Sequence, residues 1–310
     1  MKRIVYMGSP DFAVLPLKAL LAAGYQVVGV VTQPDRQKGR GKHLAATPVK
    51  EVALKHQIPL IQPHNVNGDE AVKSIKAWHP DILVVVAFGQ LLRKPLLEMA
   101  PLGAINLHAS LLPAYRGAAP IHWAIIKGEK ITGVTTMYMN EGMDTGDMIL
   151  KAECEIGEND STGILHDKLA SLGADLLVKT LQDIENNQAQ RLPQNDSLAS
   201  YAPMLTKEHE LIDWHKTAQE VHDQIRGLSP WPGAYTIYKN KRLKIHEAAN
   251  IQWLRGEPGR VLAIDKEKGL IVSSSLGSVA IKKVQLAGKN IMDVADFCRG
   301  YSINIGDMLG

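Results

Sequence analysis

The sequence predicts an α/β chain: a mostly parallel sheet covered by helices, followed by a smaller β-rich domain. Three observations carry that expectation. From the first residues onward, short β-branched runs alternate with amphipathic segments, the pattern of βαβ units and a helix-covered parallel sheet. A stretch rich in Asn, Gln, Pro and Ser, NNQAQRLPQNDSLASYAP, then breaks the periodicity. Beyond it the strand-like runs become short and closely spaced, as in a small barrel or sandwich.

Residues 2–7, 26–32 and 81–87 read as buried strands, with helices at 11–23 and 47–56 between them. Thr47-Pro48 offers an N-cap followed by proline at the first helical position. A helix over Asp69–Ala77 precedes the apolar run HPDILVVVAFG. Then come a strand at 103–107, a helix at 119–127, a strand pair at 132–139 and 148–155, and a long helix at 161–186. The break in periodicity divides the chain into expected domains 1–189 and 206–310, with 190–205 as a linker or an extended crossing segment. The second domain is expected to hold a helix at 217–227 and strands at 235–237, 243–247, 259–264, 269–274 and 279–286. Trp231, beside Pro232, reads as a packing corner.

With 310 residues, 45% of them hydrophobic and 22% charged, the chain can bury two cores and has the composition of a soluble protein. The opening MKRIVYMGSPDF lacks the apolar stretch of a secretory signal, so a cytoplasmic location is expected. Cys154 and Cys298, the two cysteines, lack C-x-x-C spacing and read as packing residues. Net charge is +3, and all of it falls in residues 206–310, where 15 Lys and Arg face 12 Asp and Glu. That excess is compatible with a polyanionic partner.

The first βα turn, MGSPDF, has only Gly8 of a G-x-G-x-x-G fingerprint and carries Pro10 at the second glycine position, which excludes a dinucleotide cofactor of that type. Richer chemistry lies in GAINLHASLLPAYRGAAP. Asn106 and His108 share strand parity, so both side chains face one side of the sheet at a strand's carboxyl end, where ligands of open α/β sheets bind. A turn, NEGMDTGDMI, offers Asp144, whose carboxylate would fix the tautomer of a nearby imidazole. An amide and an imidazolium can hold an oxyanion while the His–Asp pair moves protons. No Ser or Cys is placed as an obvious nucleophile, which suits direct acyl transfer to an amine.

INLHASLLPAYRGAAP followed by DTGD resembles the formyltransferase family that uses 10-formyltetrahydrofolate. GSPDFA, TQPDRQKGRGK, IDWHKTAQEV and IRGLSPWPGAY look specifically like the members that formylate methionine on initiator tRNA, so the resemblance covers nearly the whole chain. It implies a Rossmann-like formyltransferase domain followed by an OB-like barrel that binds tRNA. It also implies a catalytic group of Asn106, His108 and Asp144. The folate co-substrate would lie along Ser110, Leu111, Leu112 and Pro113 and against the loop Phe88, Gly89, Gln90 and Leu91. Arg36, Lys38, Arg40 and Lys42, on a loop loosened by glycines, would meet the acceptor stem. Lys239, Lys241, Arg242 and Lys244 would add a basic face to the barrel. No resident cofactor, metal or membrane is expected, and the enzyme is expected to act as a monomer. Two other readings remain open: a same-fold enzyme that formylates a small amine or releases the formyl group to water, and an RNA-binding module without catalysis.

Overall fold

The structure is a computed structural model and describes residues 2–38, 43–251, 255–265 and 267–310. The chain groups into two compact units, Met1–Gly117 with Ile131–Glu155 and His166–Ala202, and Ala118–Lys130 with Ile156–Leu165 and Pro203–Gly310. The grouping is discontinuous where the sequence suggested contiguous domains. The first unit runs past residue 189 to Ala202, and the helix near residue 120 groups with the second.

Among the described residues the first unit holds a seven-stranded sheet: β1 (Arg3–Gly8), β2 (Gln26–Val31), β3 (Leu60–Ile61), β4 (Ile82–Val86), β5 (Ala104–His108), β6 (Ile131–Tyr138) and β7 (Met148–Glu155). Its order is β7-β6-β5-β4-β1-β2-β3. Strands β1 to β5 pair in parallel, while β6 and β7 run antiparallel. Sheet growth reverses at β1, which has β2 on one side and β4 on the other, so a crevice is expected at the carboxyl ends of the strands. All five residues of β4 and of β5 are buried, as a sheet covered on both faces requires.

Helix α1 (Val14–Ala22), α2 (Pro48–Lys55) and α3 (Asp69–Ala77) fall where the periodicity puts them. Thr47 accepts a hydrogen bond from the Lys50 amide with Pro48 in the first turn, a cap worth about 1 kcal/mol. Val5, Met7, Leu83, Val85, Ile75 and Phe88 meet in one buried cluster. Next come α4 (Pro120–Ile126) and the long α5 (Thr162–Glu185).

In the second unit α6 (Ala218–Gly227) starts at a capping box formed by Thr217 and Glu220. Antiparallel strands follow: β8 (Tyr235–Tyr238), β9 (Lys241–Ile251), β10 (Val261–Asp265), β11 (Gly269–Ser273), β12 (Ser278–Leu286) and β13 (Met292–Asp293). The order is β8-β9-β12-β11-β10, with β13 also on β12. Strand β9 pairs with β8 on one side and, passing over β10 and β11, with β12 on the other. Val221, Ile225, Leu243, Val272, Ile281 and Phe297 fill the core. Phe297 belongs to α7 (Val294–Tyr301), a helix the sequence reading did not include. Trp231 is 46% exposed, so it is not the expected packing corner; Trp214 fills the core instead. Both cysteines are half-buried. Among the described residues no helix is long and apolar enough to cross a membrane.

Candidate active site

Strand β5 ends on Asn106 and His108, which share parity and lie opposite Met137 and Thr135 of β6. Both are buried, at 9% and 6% exposure. His108 Nε2 lies 3.0 Å from the Tyr115 carbonyl oxygen. A carbonyl can only accept, so Nε2 carries the proton and Nδ1 is left to face Asp144. The Nδ1 to Asp144 Oδ2 distance is 3.7 Å, an electrostatic contact longer than a hydrogen bond. With an acceptor before each ring nitrogen, the ring is oriented so that a doubly protonated imidazole has a partner for either N–H.

The same Asp144 oxygen accepts a hydrogen bond of 2.9 Å from the Gly117 amide. Tyr115 and Gly117 thus grip the His108–Asp144 pair from one short segment: the first holds the imidazole, the second the carboxylate. Two glycines make this possible. Gly117 has φ +119°, and a Cβ there would lie 2.8 Å from the Ala202 carbonyl oxygen. At Gly146 a Cβ would come within 1.7 Å of the Tyr138 carbonyl oxygen, so the DTGD turn closes only with glycine there.

Between them stands Arg116, 2% exposed. Its Nε and an Nη atom donate to Gln194 Oε1 at 3.0 and 2.7 Å, and it pairs with Asp196 at 2.8 Å. Gln194 belongs to the stretch read as a linker or crossing segment. It is a crossing strap: Leu192 pairs with Met148 in both directions, and Tyr201 and Ala202 pair in parallel with Arg116 and Gly117. Nothing local in sequence marks Arg116 or Gln194, because their partners are 78 residues apart.

A formyl transferase family model matches residues 2–181, and a model for the formyl transferase C-terminal domain matches residues 204–302. The chain belongs to the formyl transferase family. The methionyl-tRNA formyltransferase of Desulforamulus reducens is 51% identical over 310 residues, 99% of this chain and 98% of its own. That of Pelobacter propionicus is 50% identical over 309 residues, 100% of this chain and 96% of its own. Among solved structures, an N-formyltransferase from Helicobacter canadensis, in complex with folinic acid and dTDP-3-aminofucose, shares the fold with a TM-score of 0.67. It is 22% identical and covers 91% of this chain and 99% of that one.

In this formyl transferase the SLLP segment is stitched to β6 and β7. Thr135 Oγ1 donates to the Ser110 carbonyl at 2.7 Å and accepts from the Leu112 amide at 3.1 Å. The Lys151 ammonium donates to the Leu112 carbonyl, and burial pushes that ammonium below its ordinary value. Ser110 and Leu112 are buried, whereas Leu111 and Pro113 keep accessible surface. In the loop after β4, Phe88 is a core residue at 2% exposure, and Leu91 is 60% exposed. Two carbonyls are already engaged: that of Phe88 by Gln33 Nε2 at 3.1 Å and that of Leu91 by Asn67 Nδ2 at 2.9 Å. Gln90 turns inward, accepting from the Val66 amide at 2.8 Å. Of the residues expected to line a slot for the folate ring, Gly89, Leu91, Leu111 and Pro113 keep accessible surface, whereas Phe88, Ser110 and Leu112 are buried.

Arg36 opens a short antiparallel hairpin in which Arg36–Lys38 pairs with His43–Ala45. Arg36 is exposed and Lys38 ends the first strand of the hairpin; Arg40 and Lys42 lie outside the described residues. In the second unit several of the basic residues are tied locally. Arg242 stacks 4.6 Å from the Tyr235 ring centre, Lys244 donates to the Pro232 carbonyl, and Lys283 pairs with Glu247 at 2.8 Å.

Proposed function

We propose that this formyl transferase moves the formyl group of 10-formyltetrahydrofolate to the α-amine of methionine esterified to initiator tRNA, supplying formylmethionyl-tRNA for translation initiation. The observation that carries the chemistry is the convergence of Asn106 and His108 at the end of β5 with the Asp144 carboxylate 3.7 Å from the His108 ring. Full-length relatives of 51% and 50% identity, both named methionyl-tRNA formyltransferase, support the choice of acceptor.

The amine nitrogen attacks the formyl carbon, and the oxyanion that forms is met by the Asn106 amide and the His108 ring. Asp144 faces the ring while it is charged. The bond from the formyl carbon to N10 of the folate then breaks, and the proton lost by the amine passes to that nitrogen. Because Tyr115 already occupies Nε2, an oxyanion approaching that nitrogen must share or displace the Tyr115 carbonyl. Arg36, Lys38, Arg40 and Lys42 engage the acceptor end, and residues 206–310 give the tRNA backbone a basic platform. The enzyme works as a cytoplasmic monomer.

Incubation with 10-formyltetrahydrofolate and charged initiator tRNA tests the reading directly. Formylmethionine attached to tRNA is the expected product. Formate release without transfer, or transfer only to small amines, would replace this function with one of the rival chemistries.

A further inference from the structure

We infer that Gln194 is a positioning residue: its carboxamide ties the buried Arg116 guanidinium to the main chain of the Asp144 turn and so sets where the Asp144 carboxylate stands against His108. The inference rests on the formyl-transfer reading of the site.

Gln194 Nε2 donates to the carbonyls of Asp144 and Gly146, each at 2.8 Å. Its Oε1 accepts twice from Arg116, at 3.0 and 2.7 Å. Both donors and both acceptor sites of the amide are therefore in use. The orientation is unambiguous, since a reversed amide would set its N–H groups against the guanidinium and its oxygen against two carbonyls. No other side chain of similar size presents two acceptor sites to an arginine and two donors to a turn; glutamate would keep the first and lose the second.

What the amide joins is the machinery itself. Arg116 lies between Tyr115, whose carbonyl accepts from His108, and Gly117, whose amide donates to Asp144. The far side of the carboxamide holds the backbone of Asp144. The grip on the ring and the position of the carboxylate thus meet at one side chain. The strap delivers that side chain by main-chain pairing on both sides, at Leu192 and at Tyr201–Ala202. The backbone it secures is costly: Tyr115 has φ +59° and Asp144 has φ +54°, left-handed values that persist only where the surroundings dictate them.

Gln194→Glu separates the two halves of the clamp, because it retains an acceptor for Arg116 and loses both donors to the Asp144 turn. The expected result is a fall in kcat for formylation of about 10- to 100-fold, the scale of a displacement of about 1 Å at a reacting group. KM for both substrates should stay within about twofold and the melting temperature within a few degrees. Gln194→Met, lacking both functions, should fall at least as far. An unchanged kcat in the glutamate variant overturns the inference. A fall that is matched by rising KM values and a collapsed melting temperature also overturns it, by showing a merely structural residue. If the wild-type protein itself forms no formylmethionyl-tRNA, the functional reading fails instead, and the two failures are distinct.

Discussion

The chain builds two groups of the same three residue types, and only one of them is the proposed site. In the first unit His108, Asp144 and Arg116 lie together; in the second His222, Asp223 and Arg226 do so on α6. Arg226 Nε donates to Asp223 Oδ1 at 2.7 Å, and Gln219 donates to the other carboxylate oxygen at 3.0 Å. Each carboxylate oxygen therefore has a partner. Arg226 also donates to the Gly157 and Asp160 carbonyls, at 3.1 and 3.0 Å, so the group fastens one segment to a helix. His222 Nδ1 has no hydrogen-bond partner among the described residues, and burial pushes this imidazole below its ordinary value. In the first unit the arginine is directed to Gln194 and Asp196, and the carboxylate faces an imidazole and one amide. Composition does not separate the two groups. The allocation of the arginine does.

Substitutions can break this contrast. The largest expected effect is from His108→Ala, which should lower kcat by about 10²–10⁴, the usual contribution of a positioned acid–base group, with folate binding little changed. Single-turnover formylation beside a folate-binding titration measures both. Arg226→Ala should leave the Asp223 carboxylate buried and uncompensated, costing about 3–5 kcal/mol of stability by urea unfolding. Its kcat per folded molecule should match that of the wild type, and a catalytic defect there would erase the distinction between the two groups. Asn106→Ala removes one oxyanion donor, with an expected loss of about 10²–10³ in kcat and no comparable change in unfolding midpoint.

The smallest effect is on pH dependence. His222 and His246 are both held below the ordinary 6.5 by burial, so the unfolded chain binds protons that the folded chain refuses as pH drops through that value. Their share of the stability is present above about 6.5 and lost on acidification, a window above that of the lowered carboxylates Asp35, Glu220 and Asp265. Urea midpoints at pH 7.5 and 5.5 should differ less in His222→Phe than in the wild type. Equal differences would remove His222 from the account.

Much of this was legible in the sequence because it rests on local pattern. Helix α3 and the β6–β7 pair follow apolar spacing, and the Asn106/His108 parity is a property of any strand. Strand β3 was missed because two residues between Pro59 and Pro63 carry no periodicity. Helix α7 was missed although Val294, Phe297 and Tyr301 are spaced three and four apart, a helical signal that short neighbouring strands concealed. Thr135, Lys151, Arg116 and Gln194 are of another kind. Each acts on main-chain atoms or side chains far away in sequence, and no local pattern encodes such a partner.

The strap also fixes an order of events during synthesis. The ribosome emits Asn106, His108 and Asp144 well before Gln194, and the long helix α5 lies between. The sheet with Asn106, His108 and Asp144 can emerge early, yet the clamp on the Asp144 turn closes only once the chain has been made through Ala202. A nascent chain released at residue 189 would carry Asn106, His108 and Asp144 and lack Gln194, so on the proposed reading competence for transfer arrives late in the growth of the chain.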